Sequence, residues 1–171
     1  MSKSLKKFLI LVFVLSIFIF AACNDKNNNE LPEKKPWDFN FILDYGINAR
    51  NQLDTEEGTY TKDMVVEPSV ITNLKLSDEE MNEIYSIMRD IDILSYSEDF
   101  NPISNAVQTP FETYTIKIIA DGKEKYIYWK DERASKIEDA VKLRDLFKRI
   151  HEIISTKEEY KKLPTPQGGY D

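Results

Sequence analysis

The chain carries one cysteine, one histidine and five glycines in 171 residues, and each scarcity removes a class of chemistry. A single cysteine excludes an intramolecular disulfide and every multi-cysteine metal site, and a single histidine excludes the paired-histidine zinc motifs. The few glycines form neither a P-loop nor a Rossmann pattern, and GxSxG and HExxH are also absent. Carboxylate pairs remain as a catalytic option, because their spacing is spatial rather than sequential and the chain has 30 acids. At 20.0 kDa, 42% hydrophobic and 31% charged, the chain holds one modest domain.

The apolar residues begin with a leader. Lys3, Lys6 and Lys7 precede Phe8 to Phe20, a mostly apolar run of 13 residues, which is the layout of an export signal and too short for the roughly 20 residues of a membrane span. The junction Phe20-Ala21-Ala22-Cys23 resembles the lipobox of bacterial lipoproteins, although Phe20 stands where Leu is usual. The resemblance implies cleavage after Ala22, a diacylglyceryl group on Cys23, and a protein anchored by lipid at the extracytoplasmic face of the cell membrane. Two acyl chains hold a protein far more firmly than one.

Without residues 1–22, the chain has 20 basic against 30 acidic side chains, net −10, so nucleic acid is excluded as a partner on charge. The acid is concentrated in residues 23–110, with 7 basic and 18 acidic side chains against 13 and 12 in 111–171. An acidic half of this kind reads as a solubilising surface. Asn24 to Pro36 is polar, with Leu31 its one apolar residue, and reads with Cys23 as a flexible tether over 23–36. A single domain is expected over 37–171.

Within it, Trp37, Phe39, Phe41, Leu43 and Tyr45 alternate with Asp38, Asn40, Ile42 and Asp44, predicting a strand that buries its aromatic face. Gly46 to Gly58 reads as an irregular connection, Thr59 to Val66 as a second strand, and Val70 to Leu76 as extended after Pro68. Ser77 and Glu80 form a capping box, with Leu76 and Met81 as its hydrophobic staple. Met81, Ile84, Tyr85, Met88 and Ile91 then mark one helical face. Ser95 to Pro110 reads as loop. Asp121-Gly122 suits a type I′ turn between Phe111–Ala120 and Lys123–Lys130. That turn sets Tyr114 opposite Trp129 and Ile116 opposite Ile127, with Tyr126 and Tyr128 beside Thr113 and Thr115 on the other face.

A last helix is expected over 135–155, capped by Ser135 and Glu138, with Ala140, Leu143, Leu146, Phe147, Ile150, Ile153 and Ile154 inward. Gln167-Gly168-Gly169 points to a loose end. The expectation is an α+β fold, a small antiparallel sheet in ββαββα order with both helices on one face.

The segments Tyr45-Gly46, Asn51, Leu53-Asp54-Thr55, Gly58 to Met64, Leu74 to Glu80, Glu159-Tyr160, Leu163-Pro164 and Gly168-Gly169-Tyr170 resemble a group of small uncharacterised lipoproteins of low-GC Gram-positive bacteria. The resemblance implies location and no activity.

No catalytic residue, metal or cofactor is assigned. His151 lacks a nucleophile and an acid in a recognisable set and reads as an ordinary helix-surface residue. Asp54, Glu56 and Glu57, with Asp63 nearby, lack EF-hand spacing and read as a solvated acidic loop. The Gly46 to Gly58 connection, with Asn48, Arg50, Asn51, Asp54 and Thr55, joined by Asp63, is the candidate ligand-binding loop; a plain connector is the competing reading. The functional expectation is a non-enzymatic binding or accessory module with an envelope protein or cell-wall component as partner, against a small cell-envelope hydrolase using carboxylates such as Asp54 and Asp63. Replacing Cys23 by Ser is expected to leave an unlipidated precursor, and labelled fatty acid entering that variant would overturn the lipobox reading.

Overall fold

The computed structural model describes residues 30–104 and 107–170. The leader and Cys23 therefore lie outside the described residues. No helix among the described residues is long and apolar enough to cross a membrane.

The fold is α+β. Strands β1 (Asn40–Tyr45), β2 (Asn51–Asp54), β3 (Thr59–Met64) and β4 (Glu67–Asn73) precede helix α1 (Asp78–Asp90). Strands β5 (Thr113–Ala120) and β6 (Lys123–Lys130) then precede helix α2 (Glu138–Thr156) and a short helix α3 (Glu158–Lys161). All six strands form one antiparallel sheet in the order β4-β3-β2-β1-β5-β6. Both long helices cover one face, where Phe41, Leu43, Leu53, Tyr60, Ile116, Ile118, Ile127 and Trp129 meet Ile84, Met88, Leu143, Leu146, Ile150 and Ile154 in a single core.

The element order has two strands more than ββαββα: β2 lies where an irregular connection was expected, and β4 turns the stretch expected to be extended from Val70 into a paired strand that begins at Glu67. β2 reads NQLD and sends only Leu53 into the core, so it has no apolar alternation to announce it. Its pairing with β1, Tyr45 to Asn51 and Leu43 to Leu53, makes it a strand. β4 contains Pro68 but is an edge strand, where a missing N–H costs no ladder bond on its open side.

The hairpin register is as expected, with Ala120 opposite Lys123, Ile116 opposite Ile127 and Tyr114 opposite Trp129. Asp121 and Gly122 both have positive φ. Tyr126 and Tyr128 are exposed on the uncovered face. The Ser77–Glu80 capping box forms reciprocally, with bonds of 2.7 and 3.3 Å. In α2 all seven expected core residues are buried, but the helix starts at Glu138 with no side-chain cap. Ser135 is instead buried outside the helix. Its Oγ donates to Ile103 O at 3.2 Å and its carbonyl accepts from Arg144 at 2.7 Å.

Three further expectations are corrected. Trp37 precedes β1 and is 95% exposed rather than buried with the aromatic face. The C-terminal segment is held down: Gln167 bridges to Val65, Lys62 Nζ donates to Pro164 O at 3.0 Å, and the Tyr170 hydroxyl donates to Asp63. Leu31, expected in a tether without core contacts, is 6% exposed and part of the core. Next to it, the Tyr85 hydroxyl donates to Pro32 O at 2.7 Å and Arg89 donates to Glu33 O at 2.8 Å. A polar segment with one apolar residue can still dock when that residue finds a recess and its carbonyls find donors. Leu31→Ala is expected to cost about 2 kcal/mol, the lower end for a buried leucine truncation, measured by urea denaturation. No change would show that the segment contributes nothing to folding.

Candidate functional site

β1 ends at Tyr45, and Gly46 turns the chain with a φ of 89°. A Cβ at Gly46 would stand 2.7 Å from the Asn51 amide nitrogen, so this position needs glycine for space as well as conformation. That amide donates to Tyr45 O at 3.4 Å, and its Oδ1 accepts from Asp63 N at 3.0 Å. Thr113 N donates to Gly46 O at 2.9 Å, carrying the start of β5 into the same corner.

Where β1, β2 and β5 end against α2, there is an open cleft of about 550 Å³. The sheet contributes Tyr45, Asn51 and Tyr114, Glu112 joins them from just before β5, and α2 contributes Arg144, Asp145, Phe147, Lys148 and His151. Lys148 follows Arg144 by four residues and precedes His151 by three, so one helical face presents all three. Tyr114 stacks on Phe147 with centroids 4.6 Å apart, which makes a rigid apolar wall.

A buried polar chain backs the cleft. The Tyr45 and Tyr60 hydroxyls are 2.7 Å apart, and Tyr45 Oη is 3.0 Å from His151 Nδ1. Tyr160 packs edge-on against both Tyr60 and His151. Burial pushes both Tyr45 and Tyr60 up, so these phenols stay protonated. Burial also holds the His151 imidazole below its ordinary value, partly offset by the Glu112 carboxylate. The expected surface histidine is therefore a half-buried, neutral member of a hydrogen-bonded chain.

Arg144 is committed elsewhere. It donates to both Asp131 oxygens at 2.5 and 2.7 Å and lies over the Trp129 ring. Asp131 is buried, and a bidentate guanidinium satisfies it. The Tyr114 hydroxyl donates to Glu112. The lining thus offers an ammonium at Lys148, carboxylates at Glu112 and Asp145, a neutral imidazole and an aromatic wall. It includes no serine, threonine or cysteine; its hydroxyls are the Tyr45 and Tyr114 phenols, which burial keeps protonated. The arrangement suits reversible binding of a polar ligand that carries both donors and acceptors.

The candidate loop residues separate. Asn51 lines the cleft, and Arg50 lies beside it with its Nη1 3.8 Å from Asp63 and 3.3 Å from the Tyr170 hydroxyl. Asp63 is buried under that contact. Asn48 is exposed in the 3-10 turn Ile47–Ala49. Thr55 and Asp54 stand at the opposite end of β2: Thr55 Oγ1 accepts from Phe41 N and donates to Phe41 O, while Asp54 Oδ1 accepts from Glu56 N and Glu57 N at 2.9 Å. Asp54 and Asp63 therefore do not converge. Among the described residues no group of three or more His, Cys, Asp or Glu side chains is placed to hold a metal ion. His151, Tyr45 and Tyr60 went unread as a unit because they meet only through the β1–β2–β3 register and the docking of α2. Comparison with protein-family models, with curated proteins and with solved structures finds no match for this chain.

The unfolded chain protonates His151 near its ordinary value of 6.5, whereas the folded chain resists the proton. The stabilisation from keeping His151 neutral is complete above that pH and falls away as pH drops below it. The wild type is thus expected to lose stability relative to His151→Gln between about pH 7 and about pH 5, read from urea midpoints. A pH-independent difference between the two proteins would refute the buried neutral histidine.

Proposed function

We propose that this chain is a lipoprotein, held by lipid on Cys23 at the extracytoplasmic face of the cell membrane, and that its α+β domain is a non-enzymatic binding or accessory module. The observation that carries this reading is the polarity of the domain. β1 runs from Asn40, opposite Ile119 near the β5–β6 turn, to Tyr45 at the cleft. Leu31 packs at the β5–β6 turn end, beside Ala120 and Lys123. Leu31, next to the first described residue, therefore sits at one pole of the sheet, and the cleft opens at the other.

Six residues lie between Cys23 and Glu30, so the two are at most about 25 Å apart at full extension. A lipid at Cys23 keeps the first pole near the bilayer and leaves the cleft facing outward, toward an envelope protein or a cell-wall component. The carboxylate hydrolase reading loses its nominated pair, because Asp54 and Asp63 each hold backbone N–H groups at opposite ends of the β2–β3 hairpin.

The test is crosslinking in living cells with a photoreactive residue at position 148 on the cleft, compared with position 71 on the edge strand. A leader-and-tether control sets the background. A specific, saturable partner captured from 148 and not from 71 is expected. Identical background at both positions would refute the cleft as the binding surface.

A further inference from the structure

Trp37 is an exposed indole on an ordered turn. Phe39 N donates to Pro36 O at 3.2 Å, closing a turn around Trp37 and Asp38. The Asp38 carboxylate accepts from Asp121 N at 2.9 Å and Gly122 N at 2.7 Å, which fastens the turn to the β5–β6 hairpin. Upstream, Leu31 and the bonds to Pro32 and Glu33 hold the chain to α1. The backbone is fixed on both sides, yet the side chain is 95% exposed, more than any other large hydrophobic residue described. Leaving an indole in water forgoes a large apolar burial.

Its location narrows what could cover it. Trp37 lies at the pole where the chain arrives, near the β2–β3 turn and the start of α1. Thirteen residues lie between it and Cys23. An indole combines an apolar ring with an N–H donor and is favoured at the membrane–water interface. We propose that Trp37 is a membrane-contact residue, entering the headgroup layer of the bilayer that holds the Cys23 lipid.

This proposal rests on the lipid-anchor reading and adds an orientation to it. Lys34 and Lys35 precede the turn and suit anionic headgroups. Asp54, Glu56 and Glu57 on the adjoining turn oppose flat adsorption to an anionic surface. The contact is then a local one through the indole, which keeps the domain upright with its cleft away from the bilayer.

The experiment uses the lipidated mature protein in vesicles of phosphatidylcholine and phosphatidylglycerol. The chain has two tryptophans, and Trp129 is 1% exposed, so quenchable emission reports Trp37. Lipids brominated near the headgroup are expected to quench it more than lipids brominated deep in the acyl region, and aqueous iodide is expected to lose access on vesicle binding. Trp37→Phe should abolish both effects while leaving the urea midpoint unchanged. A protein that floats with the vesicles but keeps full iodide access at Trp37 would overturn the proposal and leave the anchor reading standing. Shielding of Trp37 that depends on protein concentration without lipid would assign the indole to a second copy, and also overturn it. Failure to float with the vesicles would refute anchor and contact together.

Discussion

Strand β1 is hydrogen-bonded along both edges, to β2 on one side and β5 on the other, and Phe41, Leu43 and Tyr45 on its inner face lie buried beneath the helices. Everything else in the fold takes its position from that strand. The β1–β5 pairing joins two segments separated by a helix and a long loop, and it turns a local meander and a local hairpin into one sheet with a single apolar face. Burying a leucine- or phenylalanine-sized side chain contributes about 2 kcal/mol. A central strand with neighbours on both sides and a helix layer above concentrates that gain.

The same strand sets the polarity of the molecule. Its N-terminal end lies near the turns that receive residues 30–39, and its C-terminal end opens into the cleft. Because antiparallel strands alternate direction, the β2–β3 and β5–β6 turns share the first pole while the starts of β2 and β5 share the second. In the proposed orientation, one strand length separates the membrane side from the binding side, about 3.3 Å per residue.

The second pole is tied together by polar groups as well as by the aromatic packing of Tyr114 on Phe147 and of Tyr160 on Tyr60 and His151. Tyr45, Tyr60 and His151 satisfy one another, Asn51 locks the turn after β1, and Asp63 holds the C-terminal Tyr170 beside Arg50. In a poorly solvated setting such a network gains strength when every member is satisfied and costs heavily when one is removed. This explains how the terminal residues, rich in glycine and proline, can follow β3 as an ordered strap. The Gly168 φ of 87° permits a close approach to Val66.

Features that repeat locally were legible from the amino-acid order: the two amphipathic helices, the capping box of α1, the β5–β6 register and the α+β class. In each, the determining groups lie within a few residues of one another, so propensity and periodicity suffice. β2, the burial of Leu31 and the exposure of Trp37 depended on distant partners, because one apolar side chain in a polar segment carries no periodic signal. The cleft is the extreme case: Asn51 was named but attributed to a loop, while Tyr45, Tyr60 and His151 came from segments up to 106 residues apart. Amino-acid order alone marked which residues can form the two long helices and the tight hairpin. The tertiary structure decided which polar residues meet, because only the pairing of β1 with β2 and β5 and the seating of α2 bring those side chains within hydrogen-bonding distance.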